Sequence, residues 1–371
     1  MSVQIPLSRP FLSELEAGFV HQAVKSGWLT QAGEYVSAME NEINAHLNFD
    51  KEGYEVTSTS NGTTALHLVL MSIGVGPGDE VIVPDFGYIA PVNSILMCGA
   101  TPVVVDVEES TWCIDSTLIE NALSERTKAV IAIDNYGILA NIDEIKKCIP
   151  ENVFLIQDAA ESFPSLYQQS NDVFKGDFVT TSFYANKIVT SAEGGAISGP
   201  KQFVEKIKSL KNQSVKGKGT FEHIDIGYNY RISNLHAALF NAQWERLPEI
   251  LENRVRVFNY YFECLKFNKI DFESNQYPYF INPWLMTIRL KNLNSSIEHI
   301  REELSNNGIE TRPGFKPLSE HEYLIGKIRI NEECKVAKSL HKEIISLPTF
   351  PELTNVEIEF ICSQLRIAIE N

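Results

Sequence analysis

Reactive chemistry in this chain can be built around Lys187. It stands in Ser182-Phe183-Tyr184-Ala185-Asn186-Lys187, after a β-prone run that begins at Phe178 and before Glu193-Gly194-Gly195-Ala196-Ile197, so it occupies a turn between two expected strands. Half-buried in such a turn, an ammonium loses hydration; its pKa falls and the neutral amine can attack an aldehyde. A solvated surface lysine fits the same local sequence. About thirty residues upstream, Val153-Phe154-Leu155-Ile156-Gln157 reads as a buried strand that ends in Asp158, with Glu161 in the following Ala159-Ala160-Glu161. Ligands of open α/β sheets bind beyond the carboxyl ends of the strands, where a carboxylate can pair with a protonated ring nitrogen. Capping a helix that starts at Ala159 is the other role open to Asp158. A third stretch runs from the strand-like Tyr54–Thr57 through a small polar turn into the helical Ala65–Leu70. Backbone amides at that helix start suit a phosphate, Gly62 permits close approach and Thr63 adds a hydroxyl. Ser60, Asn61 or Thr63 would also cap the helix with no ligand present.

Taken in order, Gly62-Thr63-Thr64, Asp158-Ala159-Ala160-Glu161, Ser182 and Asn186-Lys187 resemble the fold-type-I pyridoxal-phosphate (PLP) aminotransferases. Ser60-Asn61-Gly62-Thr63-Thr64-Ala65-Leu66-His67-Leu68, Gly78-Asp79-Glu80-Val81-Ile82-Val83-Pro84 and Gly227-Tyr228-Asn229-Tyr230-Arg231 narrow the resemblance to the DegT/DnrJ/EryC1/StrS family of nucleotide-sugar aminotransferases. Gly27-Trp28-Leu29-Thr30, Tyr88-Ile89-Ala90, Glu310-Thr311-Arg312-Pro313 and Leu347-Pro348-Thr349 are similar to its perosamine-forming, C4-aminating branch. The resemblance runs from about Ile5 to the C-terminus.

This resemblance implies that Lys187 carries PLP, Asp158 pairs with the pyridine nitrogen, Glu161 lies beside the phenolic oxygen, and Tyr88 stacks on the ring. It assigns the phosphate to Gly62, Thr63 and Ser182, with Asn229 donated by a neighbouring subunit, hence a homodimer with shared active sites. Trp28 and Thr30 would border the sugar, and Arg312 and Lys316 would contact the nucleotide-sugar. The implied reaction moves an amino group from glutamate to the C4 ketone of a nucleotide-linked 4-keto-6-deoxyhexose, with C3 amination as the alternative. Its product would be an amino sugar for a surface polysaccharide such as a lipopolysaccharide O-antigen. Two departures stand out: Asp134-Asn135-Tyr136-Gly137 carries no histidine before its Tyr-Gly pair, and Lys211-Asn212-Gln213-Ser214-Val215-Lys216-Gly217 replaces a more glycine-rich loop. Lys187 itself argues against the dehydratases of the family, which carry histidine there.

These residues need a scaffold. From Tyr54 to Phe183 strand-like and helical runs alternate, which predicts an α/β protein: a large domain, residues 1–245, with a mostly parallel central sheet flanked by helices. Helices are expected at Leu12–Ser26, stopped by Gly27, at Tyr35–Leu47, at Ile114–Leu123, and as one long element from Ser233 to about Phe262. A strand near Trp284–Ile288 and helices at Ile297–Asn306 and Asn355–Ile369 suit a smaller C-terminal α+β domain, residues 246–371. The chain has 371 residues, 44% hydrophobic and 22% charged, enough for two cores. A net charge of −16 with no basic stripe excludes nucleic acid as a default partner. Six cysteines show no CxxC pair and no metal spacing, and His321 between two glutamates does not share a helical face with them, so no metal site is expected. Reduced thiols, no basic-then-apolar leader and no membrane-length apolar run place the protein in the cytoplasm, away from membranes. Two other classes fit less: a non-catalytic sugar-nucleotide binder, which has no need of Lys187, Asp158 and Ser182 together, and a PLP lyase, which needs a reactive cysteine on a mobile loop.

Overall fold

A computed structural model describes residues 5–47, 51–164, 173–217, 219–266, 270–271, 282–291, 293 and 295–370. In chain order the elements are α1 (Glu14–Ser26), α2 (Glu34–Leu47), β1 (Tyr54–Thr59), α3 (Gly62–Ser72), β2 (Glu80–Pro84), α4 (Ala90–Met97), β3 (Thr101–Val105), α5 (Ile119–Ala122), β4 (Thr127–Ile133), α6 (Ile142–Cys148), β5 (Phe154–Asp158), β6 (Phe178–Ser182), β7 (Gly195–Pro200) and α7 (Lys201–Leu210). They continue with α8 (Asn234–Glu245), α9 (Leu247–Cys264), β8 (Ile270–Asp271), β9 (Met286–Leu290), α10 (Ile297–Asn306), β10 (Arg312–Pro313), β11 (Arg329–Ile330), α11 (Lys335–Glu343), β12 (Ile344–Leu347) and α12 (Asn355–Glu370).

Val81-Ile82-Val83, Val103-Val104-Val105 and Val130-Ile131-Ala132 are entirely buried. Such unbroken apolar runs mark strands covered on both faces, and each fully buried Val or Ile side chain contributes about 1.5–3 kcal/mol. They form one eight-stranded sheet in the order β1-β7-β6-β5-β4-β2-β3-β11. All neighbours pair in parallel except β7, which runs antiparallel to both β1 and β6. The carboxyl ends of β1, β2, β4, β5 and β6 therefore open on one edge. Helix α3 is apolar almost all round and is buried from Thr64 to Leu70, as the central covering helix must be.

A second core lies on the antiparallel sheet β10-β12-β9-β8. Phe258 and Tyr261 of α9, Ile300 and Leu304 of α10, and Ile361 and Leu365 of α12 fill it. Ile5, near the chain start, joins this core and bonds Gly308 and Glu310 through its backbone at 3.0 Å each. Residues 318–344 return to the first core, and β11 adds its parallel edge strand beside β3.

Gly27, at φ 77°, ends α1 as its position predicts. Two expected helices come out differently. Ile114–Leu123 is a 3₁₀ turn over Ser116–Leu118 followed by the one-turn α5, because Asp115 caps Thr117 at 2.9 Å and Leu123 turns extended at ψ 146°. The long helix from Ser233 is two, α8 and α9, separated at Arg246. Pro248 cannot donate a backbone N–H within a continuous helix and suits instead the first turn of a new one. Arg246 is fixed there by Glu16 at 2.7 Å and Glu249 at 3.0 Å.

Candidate active site

Lys187 lies in the turn from 183 to 194 between β6 and β7, as the sequence predicts. Backbone bonds from Phe183 to Gly194, from Ser191 to Phe183 and from Lys187 to Tyr184, at 2.8–2.9 Å, close the turn on itself. The side chain is 13% exposed, and Nζ stands 3.9 Å from Oε1 of Glu161. That distance is Coulombic contact rather than a hydrogen bond. Burial pushes the Lys187 amine below its ordinary pKa, while Glu161 and Asp158 draw it back up. Burial in turn pushes the Asp158 carboxyl up to about 6 and that of Glu161 to about 7, with Lys187 opposing both. One cation thus stands between two desolvated acids, and burial shifts all three groups toward their neutral forms.

Asp158 ends β5 on the open edge of the sheet and accepts the Ala160 amide at 3.2 Å and the Thr180 hydroxyl at 3.5 Å. It holds the local turn, and no helix follows for it to cap. Glu161, 5% exposed, accepts the Tyr136 amide at 2.8 Å.

Opposite them α3 begins. Asn61 is its N-cap, accepting the Thr64 amide at 2.9 Å while the Thr64 hydroxyl accepts the Asn61 amide at 3.2 Å. Gly62 and Thr63 follow as the first two helical residues, whose amides have no partner within a helix. A Cβ on Gly62 would stand 3.1 Å from Cβ of Ser182, so a side chain there would crowd the space beside the helix start. Gly195 pairs with Thr59 on one side and Ser182 on the other, which brings α3 and β6 together. A Cβ on Gly195 would lie 2.7 Å from the Asn61 backbone.

Gly62, Thr63, Tyr88, Asp158, Glu161, Ser182, Lys187 and Arg312 all line one cleft of about 560 Å³. Its parts fit PLP. An amine stands beside buried carboxylates at one end, and a helix N-terminus with a hydroxyl and a glycine cradle stands at the other. Tyr88, half exposed, packs edge-on against Phe315, and Arg312 pairs with Glu310 at 3.9 Å. Four expected residues lie elsewhere on this single chain. Trp28 and Thr30 are exposed after α1, their carbonyls held by Asn234. Lys316 is exposed beyond the cleft. Asn229 is exposed, and its side chain accepts from Arg231 at 2.8 Å.

Among the lining residues that the sequence did not single out are three aromatics, Trp284, Tyr136 and Phe315. Trp284 reads locally as part of a strand, and nothing near it in sequence signals a site. Asp134 does not line the cleft. It is wholly buried, accepting Ser162 Oγ at 2.6 Å, Gln157 Nε2 at 3.0 Å and the Ala140 amide at 2.9 Å. Lys211 also points away, donating to Thr57 Oγ1 at 2.6 Å and Ser58 O at 2.7 Å. None of the six cysteines lines the cleft, and burial raises every one of their thiols, which removes the reactive cysteine a lyase would need. No helix among the described residues is long and apolar enough to cross a membrane.

The chain is similar to known proteins over nearly its whole length. Residues 11–366 match the model of the DegT/DnrJ/EryC1/StrS aminotransferase family. The chain is 32% identical over 365 residues to the GDP-perosamine synthase of Escherichia coli O157:H7, covering 97% of each chain. It is also 32% identical over 370 residues to the GDP-perosamine synthase of Caulobacter vibrioides, covering 98% of this chain and 97% of that one. Among solved structures, a protein described as a sugar aminotransferase, from Streptococcus pneumoniae in its PLP form, superposes with a TM-score of 0.90 at 25% identity, covering 99% and 98%. With the matched family model spanning nearly the whole chain, the protein belongs to the DegT/DnrJ/EryC1/StrS aminotransferase family and is a PLP-dependent aminotransferase of fold type I.

Proposed function

We propose that the chain transfers an amino group from glutamate to the C4 ketone of a nucleotide-linked 4-keto-6-deoxyhexose, in a homodimer with shared active sites. The observation that carries the reading is a nearly buried lysine set against two buried carboxylates and facing a helix N-terminus across one cleft. The names of the relatives support a nucleotide-sugar as acceptor. Bound in the cleft, PLP supplies a protonated ring that accepts the electron pair left when the donor's Cα–H bond breaks. Asp158 would hold the proton on the ring nitrogen, with Glu161 on the side of the phenolic oxygen. The amides of Gly62 and Thr63 and the Ser182 hydroxyl would hold the phosphate, and Tyr88 would cover the ring. With cofactor and donor bound, the Lys187 amine would accept at its Nζ the proton released from the donor's α-carbon and hold it there for return. Run in reverse, the same lysine returns a proton to the carbon that bears the new amine. Arg312 and Lys316 meet the nucleotide.

Asn229 completes the phosphate site of the neighbouring subunit. Support comes from its exposure and from the apolar surface near it in sequence, Phe221, Ile224 and Ile226, together with Trp28 and Leu29. Six unbridged cysteines suit the cytoplasm, and the product suits a surface polysaccharide such as an O-antigen.

Purified, cofactor-loaded protein is incubated with glutamate and GDP-, dTDP- and UDP-linked 4-keto-6-deoxy sugars, following the cofactor's visible band and the product's mass and NMR spectrum. A 4-amino sugar on one nucleotide is expected. Bleaching by glutamate with no aminated sugar would overturn the acceptor, a 3-amino product would overturn the regiochemistry, and a protein that never binds PLP would overturn the whole reading.

A further inference from the structure

Trp284 has no part in the mechanism above, yet it is the ring closest to the reacting amine. It precedes β9, is 4% exposed, and is held at both faces of its backbone. Buried Arg254 of α9 donates to the Trp284 carbonyl at 2.8 Å and the Pro283 carbonyl at 3.3 Å. Asn282, two residues before, donates to the carbonyls of Glu161 at 3.3 Å and Phe163 at 3.2 Å. The indole N–H donates to the Asn186 carbonyl at 2.8 Å, and Nζ of Lys187 lies 3.9 Å from the ring centroid. The ring is thus tied to the loop that bears Lys187, and its backbone neighbour to the turn that bears Glu161.

We propose that Trp284 is a catalytic residue whose indole face receives the Lys187 ammonium whenever that amine is not bonded to the cofactor, holding it beside Glu161 as the proton carrier. The proposal rests on the reading of Lys187 as the amine of the reaction. Indole is the strongest of the aromatic faces toward a cation, 3.9 Å is well inside the range of that attraction, and loss of water strengthens it. Glu161 at 3.9 Å is too far for a hydrogen bond, so the ring supplies the contact on the other side. The remaining charged groups around the cleft are Asp158 at the end of β5, Glu193 on the lysine's own loop, and Glu310 and Arg312 beside β10.

The test compares cofactor-free wild type, W284F and W284L. Each is labelled with a trace of acetic anhydride across pH, and acetylation of Lys187 is counted by mass spectrometry of its peptide. Phe and Leu leave similar space but differ in the π face. The Leu variant moves the midpoint down by about half a unit to one unit, so that below the midpoint Lys187 is acetylated roughly 3- to 10-fold faster, and the Phe variant, with a weaker π face than indole, moves it down by less. Equal displacement in both variants, no displacement in either, or an upward shift in W284L overturns the proposal. A second measurement needs no tryptophan variant. The step in indole emission centred on the Lys187 acetylation midpoint of the wild type should vanish in K187M, and its persistence at that midpoint overturns the proposal. Loading K187M with PLP separates the two readings: a wild-type visible band there would remove Lys187 from the cofactor while the labelling data still decide what the ring does.

Discussion

At the scale of single residues the site is three desolvated groups within one cleft. Lys187→Ala removes the only atom in the proposed mechanism that moves a proton at carbon, and general acid–base catalysis is worth about 10²–10⁴-fold. Single-turnover reaction of the loaded variant with glutamate should slow by at least that range, with an unchanged circular dichroism spectrum. Asp158→Asn keeps the shape and loses the charge that, in the proposed mechanism, would hold a proton on the ring nitrogen; a fall of about 10²-fold in the same assay is expected, with smaller loss of cofactor binding. Asp134, Asp158 and Glu161 share a second property. Burial raises all three, to about 7, 6 and 7, above the unfolded values near 4. Between those limits the folded chain holds protons that the unfolded chain has released, so stability falls as pH rises from about 4 to about 7 and then levels. Urea unfolding of the cofactor-free protein should therefore give a lower midpoint at pH 8 than at pH 5, by a free energy of up to roughly 7 kcal/mol. An equal or higher midpoint at pH 8 would mean that these acids are ionised in the folded state.

At the scale of elements, the decisive piece is β7, the antiparallel strand between β1 and β6. Its first residue, Gly195, lets the Asn61 turn and β6 approach so closely that any side chain would overlap backbone. Gly195→Ala should cost about 1–3 kcal/mol in unfolding experiments and raise the PLP dissociation constant by about tenfold, since the strands must part where the phosphate would sit. The segment from 211 to 217 behaves differently. Gln213 and Ser214 hold φ at 59° and 50°, a left-handed pair with no glycine, packed so tightly that Gly227 has Gln213 backbone 2.2 Å from where its Cβ would be. Each such residue is strained by about 1–2 kcal/mol, offset for glycine by the entropy it loses on folding. Gln213→Gly should stabilise the protein by about 0.5–1 kcal/mol in thermal unfolding; a destabilised variant would show that the glutamine side chain matters more than its backbone. Lys211 anchors this segment to β1 and to Glu40 of α2 at 3.4 Å, which gives the lysine a structural task.

At the scale of the whole molecule, segments leading from both sheets meet beside Lys187 within the first core. Trp284 leads into β9 of the smaller sheet, Phe315 follows β10, and Tyr136 stacks between them at 6.3 Å and 4.9 Å. The cleft is closed by this wall on one side and open where Tyr88 is exposed. If Asn229 serves the neighbouring subunit, Lys187→Ala and Asn229→Ala are each inactive alone but complementary when subunits exchange. Half of the dimers then pair unlike chains, each with one intact site, and about a quarter of wild-type activity should return on mixing after mild dissociation. No recovery, with exchange verified by mass, would place Asn229 outside the partner's site.

Much of the fold was legible before any coordinates. Val81-Ile82-Val83, between Gly78 and Pro84, reads as a buried strand, Gly27 marks a helix end by its own chemistry, Ser60, Asn61 or Thr63 mark a helix start, and the strand–helix alternation implies a sheet whose carboxyl ends carry Asp158 and Ser182. Those signals are local, or repeat along the chain, so the sequence determines them by itself. Motif order likewise exposed Lys187, Asp158 and Gly62. What the sequence could not hold is distance between residues far apart in it. The break at Pro248 depended on Arg246 finding Glu16, some 230 residues away. Trp284 comes to lie over Lys187 only because β9 packs with the second core while Asn282 and Arg254 fix its backbone. The raised acids follow from the same cause, since burial is a property of the packed molecule and no residue carries it alone.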